Sequence, residues 1–160
     1  MNVQPFLIGE GWVEVLDGND TARDIFKRHY SYRPRAAGRR INELIIGPGE
    51  KYLLLTADGG ALCAWRKEKH RRDGQVGVEC CVYRRESGEE ATPLLTEAMA
   101  LAWLRWPGER LFSFVDPLKV QPTWRASRPT WGHTFYQAGW TFAGLTQKRL
   151  HILEHQPVGA

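Results

Sequence analysis

Two apolar segments joined by a glycine turn constrain the fold of this 160-residue chain more than any other feature. Residues 51–57 are KYLLLTA and residues 61–66 are ALCAWR, with Asp58-Gly59-Gly60 between them. Apolar runs of this length on both sides of a glycine-containing turn predict a β-hairpin. Residues 75–84 (QVGVECCVYR) follow a charged loop and predict a third long strand.

The remaining segments surround this hairpin with helices and further strands. Asn19-Asp20 predicts the cap of a helix that runs to about Tyr30, and Thr92 predicts a second N-cap with Pro93 at the first helical position. Pro107-Gly108 is expected to end that second helix. Further strands are predicted within 6–16 and 110–115, a short helix over 130–138, and a closing hairpin from 141–146 and 149–154.

This order of elements predicts an α+β protein with a single domain over residues 1–160. The same order occurs in the GCN5-related acyltransferase fold, in which helices flank a mixed central sheet. Two neighbouring central strands of that fold splay apart, and acyl-CoA lies in the gap with its pyrophosphate at the following helix N-terminus. Other α+β folds share parts of this order, and the order alone leaves them open.

The positive charge of the chain is concentrated in two clusters. The net charge is only +4, but residues 27–40 hold six Lys or Arg and no acid, and residues 65–72 hold five beside one Glu. Arginine pairs with phosphate and neighbouring Trp and Tyr rings stack on bases, so these clusters favour a polyanionic partner. A solvated basic face without a partner is the alternative.

Cysteine usage and hydropathy predict a soluble protein of the cytoplasm. The three cysteines are Cys63, Cys80 and Cys81, and the sequence has no CxxC pair or zinc-ligand spacing, so we expect reduced and mostly buried thiols. The N-terminus does not resemble a signal peptide, and no apolar run reaches the length of a membrane span.

The segment 111–146 combines a carboxylate, a basic aromatic loop and an imidazole. A buried strand is predicted to end at Asp116, where side chains emerge into the crevice of open α/β sheets, and His133 lies early in the short helix. With His29 these residues would form the two-histidine, one-carboxylate set that binds non-haem ferrous iron. A turn-forming Asp-Pro pair and histidines that only pack at the surface are the alternatives.

The entry to the second helix is a candidate anion site. Backbone N–H groups and side chains at such a turn bind phosphate. The residues predicted to contribute here are Arg84, Ser87, Gly88 and Thr92. Only one glycine is present, and Glu89 and Glu90 lie where an anion would dock. The alternative is that Thr92 is only a helix cap.

Two basic segments are candidates for contact with nucleic acid. Trp124 lies in a basic loop, and an aromatic side chain in such a loop suits an enzyme that extrudes a base from duplex DNA. The alternative is a surface loop with Trp124 packed down. The predicted contact residues are Arg33, Arg35, Arg39, Arg40, Lys119, Trp124, Arg125 and Arg128.

Residues 25–154 resemble the Mom-type DNA modification proteins of phages, a family with a divergent GCN5-related acyltransferase fold. The resemblance depends on short motifs along most of the chain. These are His29-Tyr30-Ser31, Trp106-Pro107-Gly108-Glu109-Arg110-Leu111, Val115-Asp116-Pro117-x-Lys119-Val120, Ala138-Gly139-Trp140 and Gly144-x-Thr146. The chain departs from the family before Ala138, where it has RPTWGH instead of the more usual NPGYCF.

The resemblance implies that the chain converts adenine in DNA to an N6-carbamoylmethyl form, which protects phage DNA from host restriction. It implies acetyl-CoA near the helix entry, with Arg84 and Thr92 in contact, and an iron-type metal. The catalytic cluster it implies is His29, Tyr30, Asp116 and His133, with His29, Asp116 and His133 as metal ligands. The expected partners are DNA and a small-molecule acyl or amide donor, in the cytoplasm of a phage-infected or prophage-carrying bacterium.

Two other functions are compatible with the sequence. One is a conventional acetyl-CoA-dependent N-acetyltransferase that acts on a small amine or a protein, which the degenerate phosphate loop disfavours. The other is a non-catalytic DNA-binding module.

Overall fold

The computed structural model describes residues 6–8, 11–33 and 44–157. Within these residues the chain forms three helices and ten strands. The helices are α1 (Asp20–Lys27), α2 (Ala91–Arg105) and α3 (His133–Gln137). The strands are β1 (Phe6–Ile8), β2 (Trp12–Val15), β3 (Glu50–Thr56), β4 (Ala61–Lys67), β5 (Val78–Arg85), β6 (Leu111–Val115), β7 (Thr123–Arg125), β8 (Arg128–Thr130), β9 (Thr141–Leu145) and β10 (His151–His155).

One mixed sheet of the described residues contains eight of these strands, in the order β1-β2-β3-β4-β5-β6-β10-β9. Neighbours pair antiparallel throughout, except that β5 and β6 are parallel. Parallel strands need a crossover connection, and α2 supplies it. The prediction of an α+β protein with a mixed sheet is therefore confirmed.

Helices cover the two faces of this sheet with separate apolar clusters. On one face α2 buries Leu94, Leu95, Ala98, Met99, Leu101 and Ala102 among residues of β3 to β6. On the other face α1 buries Ala22 and Ile25 among residues of β2 to β5. Asn19 caps α1 as predicted, because its Oδ1 accepts the Ala22 N–H at 3.0 Å. The helix ends at Lys27, before the predicted end at Tyr30.

The N-terminus of α2 differs from the prediction. The helix begins at Ala91 and its N-cap is Glu90, so the prediction that Thr92 is the cap is wrong. Pro93 is instead the third helical residue, which is tolerated because first-turn N–H groups have no acceptor within the helix. The Thr92 hydroxyl donates to Gln137 Oε1 in α3 at 2.6 Å.

A β-bulge in β5 separates the two parallel strands. Ala64 of β4 pairs with Val82 and Trp65 pairs with Cys80, which leaves Cys81 as an extra residue in β5. Such a bulge bends its strand. Beyond the pairs Val78–Leu111 and Glu79–Phe112, β5 and β6 are no longer paired. Their carboxyl ends therefore diverge and leave a gap in the middle of the sheet.

The segment between β6 and α3 contains a β-hairpin where the sequence predicted a loop. β7 and β8 pair antiparallel, with Trp124 opposite Pro129. Ala126 and Ser127 connect them with φ angles of 49° and 64°. Two successive positive φ values are typical of a type I′ turn, which usually contains Asn or Gly. The absence of these residues explains why the sequence did not predict the hairpin.

Two predictions from composition concern the thiols and membranes. Cys63, Cys80 and Cys81 are free thiols, as expected, and the first two are buried. Across the described ranges, no helix has the length and apolar character needed to cross a membrane.

The Ser113 side chain replaces the missing backbone pairing at the start of the gap. Its buried Oγ donates to the Cys80 carbonyl at 2.8 Å. We expect Ser113→Ala to lower the free energy of unfolding by about 1–3 kcal/mol, because it removes the donor from a buried acceptor. Urea denaturation measures the change. Thr96→Ala is the control, since the exposed Thr96 hydroxyl only donates to the Thr92 carbonyl of its own helix. Equal unfolding midpoints for the two variants would contradict the prediction.

Candidate functional site

The gap between β5 and β6 holds a cavity of about 370 Å³. Its walls come from the residues after α1, from the two diverging strands and from α3. Residues that line it include His29, Tyr30, Cys81, Tyr83, Arg84, Ser113, Phe114, Val120, Gln121, His133, Thr134 and Phe135. We call this space the central cavity.

Three of the four predicted catalytic residues line the central cavity. They are His29, Tyr30 and His133. Asp116 lines a neighbouring cavity of about 300 Å³, which shares Tyr30 with the first. The tertiary structure thus brings residues that are more than 100 positions apart in the sequence to one gap in the sheet.

His29 is held in one tautomer by its own chain. The Ser31 backbone N–H donates to His29 Nδ1 at 3.2 Å, and Ser31 Oγ lies 2.7 Å from the same nitrogen. A neutral imidazole whose Nδ1 accepts carries its hydrogen on Nε2. Burial, and secondarily the charge of Arg84, lowers the pKa of His29 to about 4. At neutral pH His29 is therefore an uncharged hydrogen-bond donor.

Tyr30 connects the end of α1 to β6 across the gap. Its hydroxyl donates to the Phe114 carbonyl at 3.3 Å, and its ring lies 4.4 Å from the His29 ring, centroid to centroid. Burial raises the pKa of Tyr30, so the phenol keeps its proton at neutral pH. Tyr30 thus positions His29 at the wall of the cavity.

Asp116 forms the turn that follows β6. Its Oδ1 accepts the Leu118 N–H at 3.0 Å, and its carbonyl accepts the Lys119 and Val120 N–H groups at 3.1 Å. Asp116 thus has the turn-forming role that was the alternative interpretation of the Asp-Pro pair. Leu118 lies in this turn, and 93% of its surface is exposed to solvent.

The proposed metal ligands do not form a metal site in this arrangement. Among the described residues, no three His, Cys, Asp or Glu side chains are placed to hold one ion. Ser31 binds His29 Nδ1, which leaves Nε2 as the nitrogen through which His29 would bind a metal. The arrangement of the described side chains does not by itself support the predicted iron, and we derive no step through a metal.

Arg84 is the one predicted cofactor residue that lines the central cavity. Its Nε is 2.8 Å from Glu86 Oε2, and Arg28 binds the same carboxylate through two nitrogens at 2.7 Å. The hydrogen bonds from Arg28, and then from Arg84, lower the pKa of Glu86 to about 2. The guanidinium that was predicted to bind a phosphate thus already has a carboxylate partner, which it shares with Arg28.

The other predicted cofactor residues point elsewhere. The Glu86 and Ser87 N–H groups donate to the Gly60 carbonyl, and Ser87 lines a separate cavity of about 180 Å³. Gly88 adopts a φ of +90°, which glycine accommodates without strain. The hydroxyl of Thr92 is bound to Gln137. These four residues do not form a pyrophosphate cradle, so acetyl-CoA remains an expectation from the resemblance, and we derive no step through it.

The predicted nucleic-acid contacts fall into two groups. Trp124 is 67% exposed on β7, so the alternative that it packs down is wrong, and Arg128 is also exposed. The Arg125 guanidinium lies 5.5 Å from the centre of the Tyr136 ring, which places the hairpin beside α3. Arg33 and Lys119 line the cavity next to Tyr30. Arg35, Arg39 and Arg40 lie outside the described residues.

Several cavity residues were missed by the sequence analysis. Tyr83 and Phe135 line the central cavity, and Ser113 spans its start. A serine within the apolar run LFSFV was a signal that could have drawn attention to Ser113. Tyr83 carries no such signal, because its position depends on how β5 and β6 diverge.

Comparison with models of protein families, with curated proteins and with solved structures finds no match for this chain.

The low pKa of His29 predicts a specific dependence of stability on pH. Its folded pKa of about 4 lies below the ordinary 6.5, so the unfolded chain binds the proton more tightly between these values. This contribution to stability is complete above about pH 6.5 and falls by roughly 3 kcal/mol as the pH is lowered to about 4. Urea unfolding of the protein and of His29→Gln over this range measures it, because the variant lacks the titration.

An NMR titration of His29 checks the same assignment directly. We expect the Nε2–H tautomer and a titration midpoint that matches a pKa of about 4. A ring that titrates at an ordinary histidine value would show that His29 is accessible to water and is charged more readily than its burial implies.

Proposed function

We propose that this chain modifies adenine in DNA by forming a bond to the exocyclic N6 of an extruded base. The observation that carries the proposal is the central cavity itself. It opens between two diverging strands, has two histidines and several aromatic rings in its wall, and lies beside a hairpin with an exposed Trp and two Arg.

The sheet supports a divergent GCN5-related acyltransferase-like fold for this function. Two parallel central strands separate at a bulge, a helix follows the first of them, and an antiparallel hairpin closes the chain. This is the arrangement expected from the order of the elements. Bulges are frequent beside active sites, because they redirect side chains.

The size and walls of the central cavity suit a purine. Its volume of about 370 Å³ is within the range of small-molecule pockets, roughly 300–1,000 Å³. Tyr83, Phe114 and Phe135 supply aromatic surface against which a base can stack. An enzyme that acts on a base must take it out of the duplex, and the exposed Trp124 ring would occupy or support the vacated stack.

The two histidines are suited to different roles. The bond would form between N6 and an electrophilic carbon of a small-molecule donor, whose leaving group departs with the bonding electrons. One N6 proton must then be removed. His133 is exposed, and its imidazole has no hydrogen-bond partner among the described residues, so this ring is the candidate base. His29 stays neutral and donates a hydrogen bond, while Tyr30 and Asp116 hold the walls.

The arrangement of the 86–90 loop disfavours a conventional N-acetyltransferase. Amides that would hold a pyrophosphate already donate to Gly60, and Arg84 is paired with Glu86. The donor therefore remains a small acyl or amide compound of unspecified origin. Protection of phage DNA from restriction would follow from the modified base.

Mass spectrometry of nucleosides from cells that express the protein tests this function. We expect an adenine derivative with the added mass of a carbamoylmethyl-type group, and at least a hundredfold less of it with His133→Ala, since general base catalysis contributes about 10²–10⁴-fold. His70→Ala is the control, because His70 is an exposed loop residue outside the central cavity. Unmodified adenine in DNA from cells with soluble, folded protein would refute the function.

Trp124 should contribute to DNA binding through its ring. Stacking on a base contributes about 1–3 kcal/mol, so Trp124→Ala is expected to weaken binding of an adenine-containing duplex by roughly 5- to 150-fold. Trp124→Phe should retain most of the affinity. Fluorescence anisotropy measures both, and urea unfolding should give similar stabilities because the side chain is exposed. Equal affinities for the Ala and Phe variants would contradict a stacking role.

A further inference from the structure

The α1 side of the sheet has a second concave surface at β6 and β10. α1 packs on β4 and β5, whereas Phe114 and Ile152 lie as a cross-strand pair on β6 and β10. They line a cavity of about 610 Å³ together with Leu145 and Leu150. This cavity is larger than the central cavity, and the function proposed above makes no use of it.

The open cavity continues into the cavity beside Tyr30. Phe114 and Leu150 border both of them, and Phe114 also borders the central cavity. We call the combined surface the long groove. It runs from Tyr30, Arg33 and Lys119 at one end to Arg72, Asp73, Gln75 and the turn at 146–148 at the other.

The charges along the long groove are mostly unpaired cations. Arg33, Arg72, Lys119 and Lys148 line it, and within the described part of the chain none of them forms an ion pair with a carboxylate.

Two of the three acids of the long groove are paired with arginines. Glu79 is bound by Arg66 at 3.0 Å and by Arg71 at 2.7 Å. Asp73 is bound by Arg71, whose hydrogen bonds lower the pKa of Asp73 to about 2. The Asp116 carboxylate accepts the neutral Leu118 N–H and keeps its negative charge. Among the described residues, four unpaired cations against this one unpaired carboxylate give the groove a net positive charge above an apolar floor.

We propose that the long groove binds the single-stranded DNA segment next to the extruded adenine. Cations along a groove contact successive phosphates, and apolar and aromatic side chains on its floor contact the faces of unstacked bases. Phe114 joins the groove to the central cavity, so a strand that lies in the groove leads its next base toward His29 and Tyr30. The proposal rests on the function proposed above, since it assumes that DNA is the substrate.

The test is the salt dependence of DNA binding by Arg72→Ala/Lys148→Ala. Both side chains are exposed, so the variant is expected to fold. Each lost contact to a single-stranded phosphate lowers the slope of log K against log salt by about 0.7, so the slope should fall by about 1.4. Anisotropy of a fluorescein-labelled, adenine-containing single strand measures it. Arg23→Ala/Lys51→Ala removes the same two residue types outside the groove and outside both basic clusters. These two cations are already paired with Asp20 and Asp17, so the slope should stay unchanged.

The outcomes distinguish failure of the groove proposal from failure of the proposed enzymatic function. A slope that stays at the value of the unaltered protein, or that falls equally in the control, overturns the groove as the binding surface. Lys148→Glu should weaken binding more than Lys148→Ala, and equal affinities would also count against it. If the slope falls as expected but DNA from expressing cells holds no modified adenine, the groove binds DNA and the proposed modification is wrong.

Discussion

The bulge at Cys81 is the constraint on which the site depends. Before it, β5 and β6 pair as parallel strands in the middle of the sheet, and after it the backbone groups on their facing edges are no longer shared. A gap in a sheet is costly unless other groups bind the freed donors and acceptors. Ser113 and Tyr30 do so with side-chain hydroxyls, to the Cys80 and Phe114 carbonyls. The same bonds that stabilise the gap therefore shape the central cavity.

The polar residues around the gap divide into those that build it and those that remain available. Tyr30 and Asp116 use their functional atoms to hold the chain, and Ser31 occupies one nitrogen of His29. The Nε2–H of His29 and both ring nitrogens of His133 have no hydrogen-bond partner among the described residues. A cavity with one neutral donor and one exposed imidazole is consistent with the proton transfer at an amine that we propose.

Ion pairing determines which cations can meet a polyanion. Glu86 binds both Arg28 and Arg84 at the entry to α2, where acetyl-CoA was expected, whereas the cations of the long groove have no carboxylate partners in the described part of the chain. The net charge of +4 does not show this difference. Among the described residues, cations without a carboxylate partner therefore line the surface of β6 and β10 and lie on the β7–β8 hairpin.

The sequence by itself determined the order of the elements and most of their limits, because hydrophobic periodicity, Asn19 and the Asp58-Gly59-Gly60 turn act locally. The grouping of His29, Tyr30, Asp116 and His133 was only an expectation from the resemblance, and the tertiary structure brings three of them to one cavity. The sequence could not determine that Thr92 binds Gln137 instead of capping α2, that Ala126-Ser127 closes a hairpin, or that Asp116 supports a turn. Each of these depends on partners far along the chain or on backbone angles that the residue types do not favour. The gap between β5 and β6 was decided by tertiary structure alone, since it requires β4, β5 and β6 to pair before Cys81 can become the extra residue.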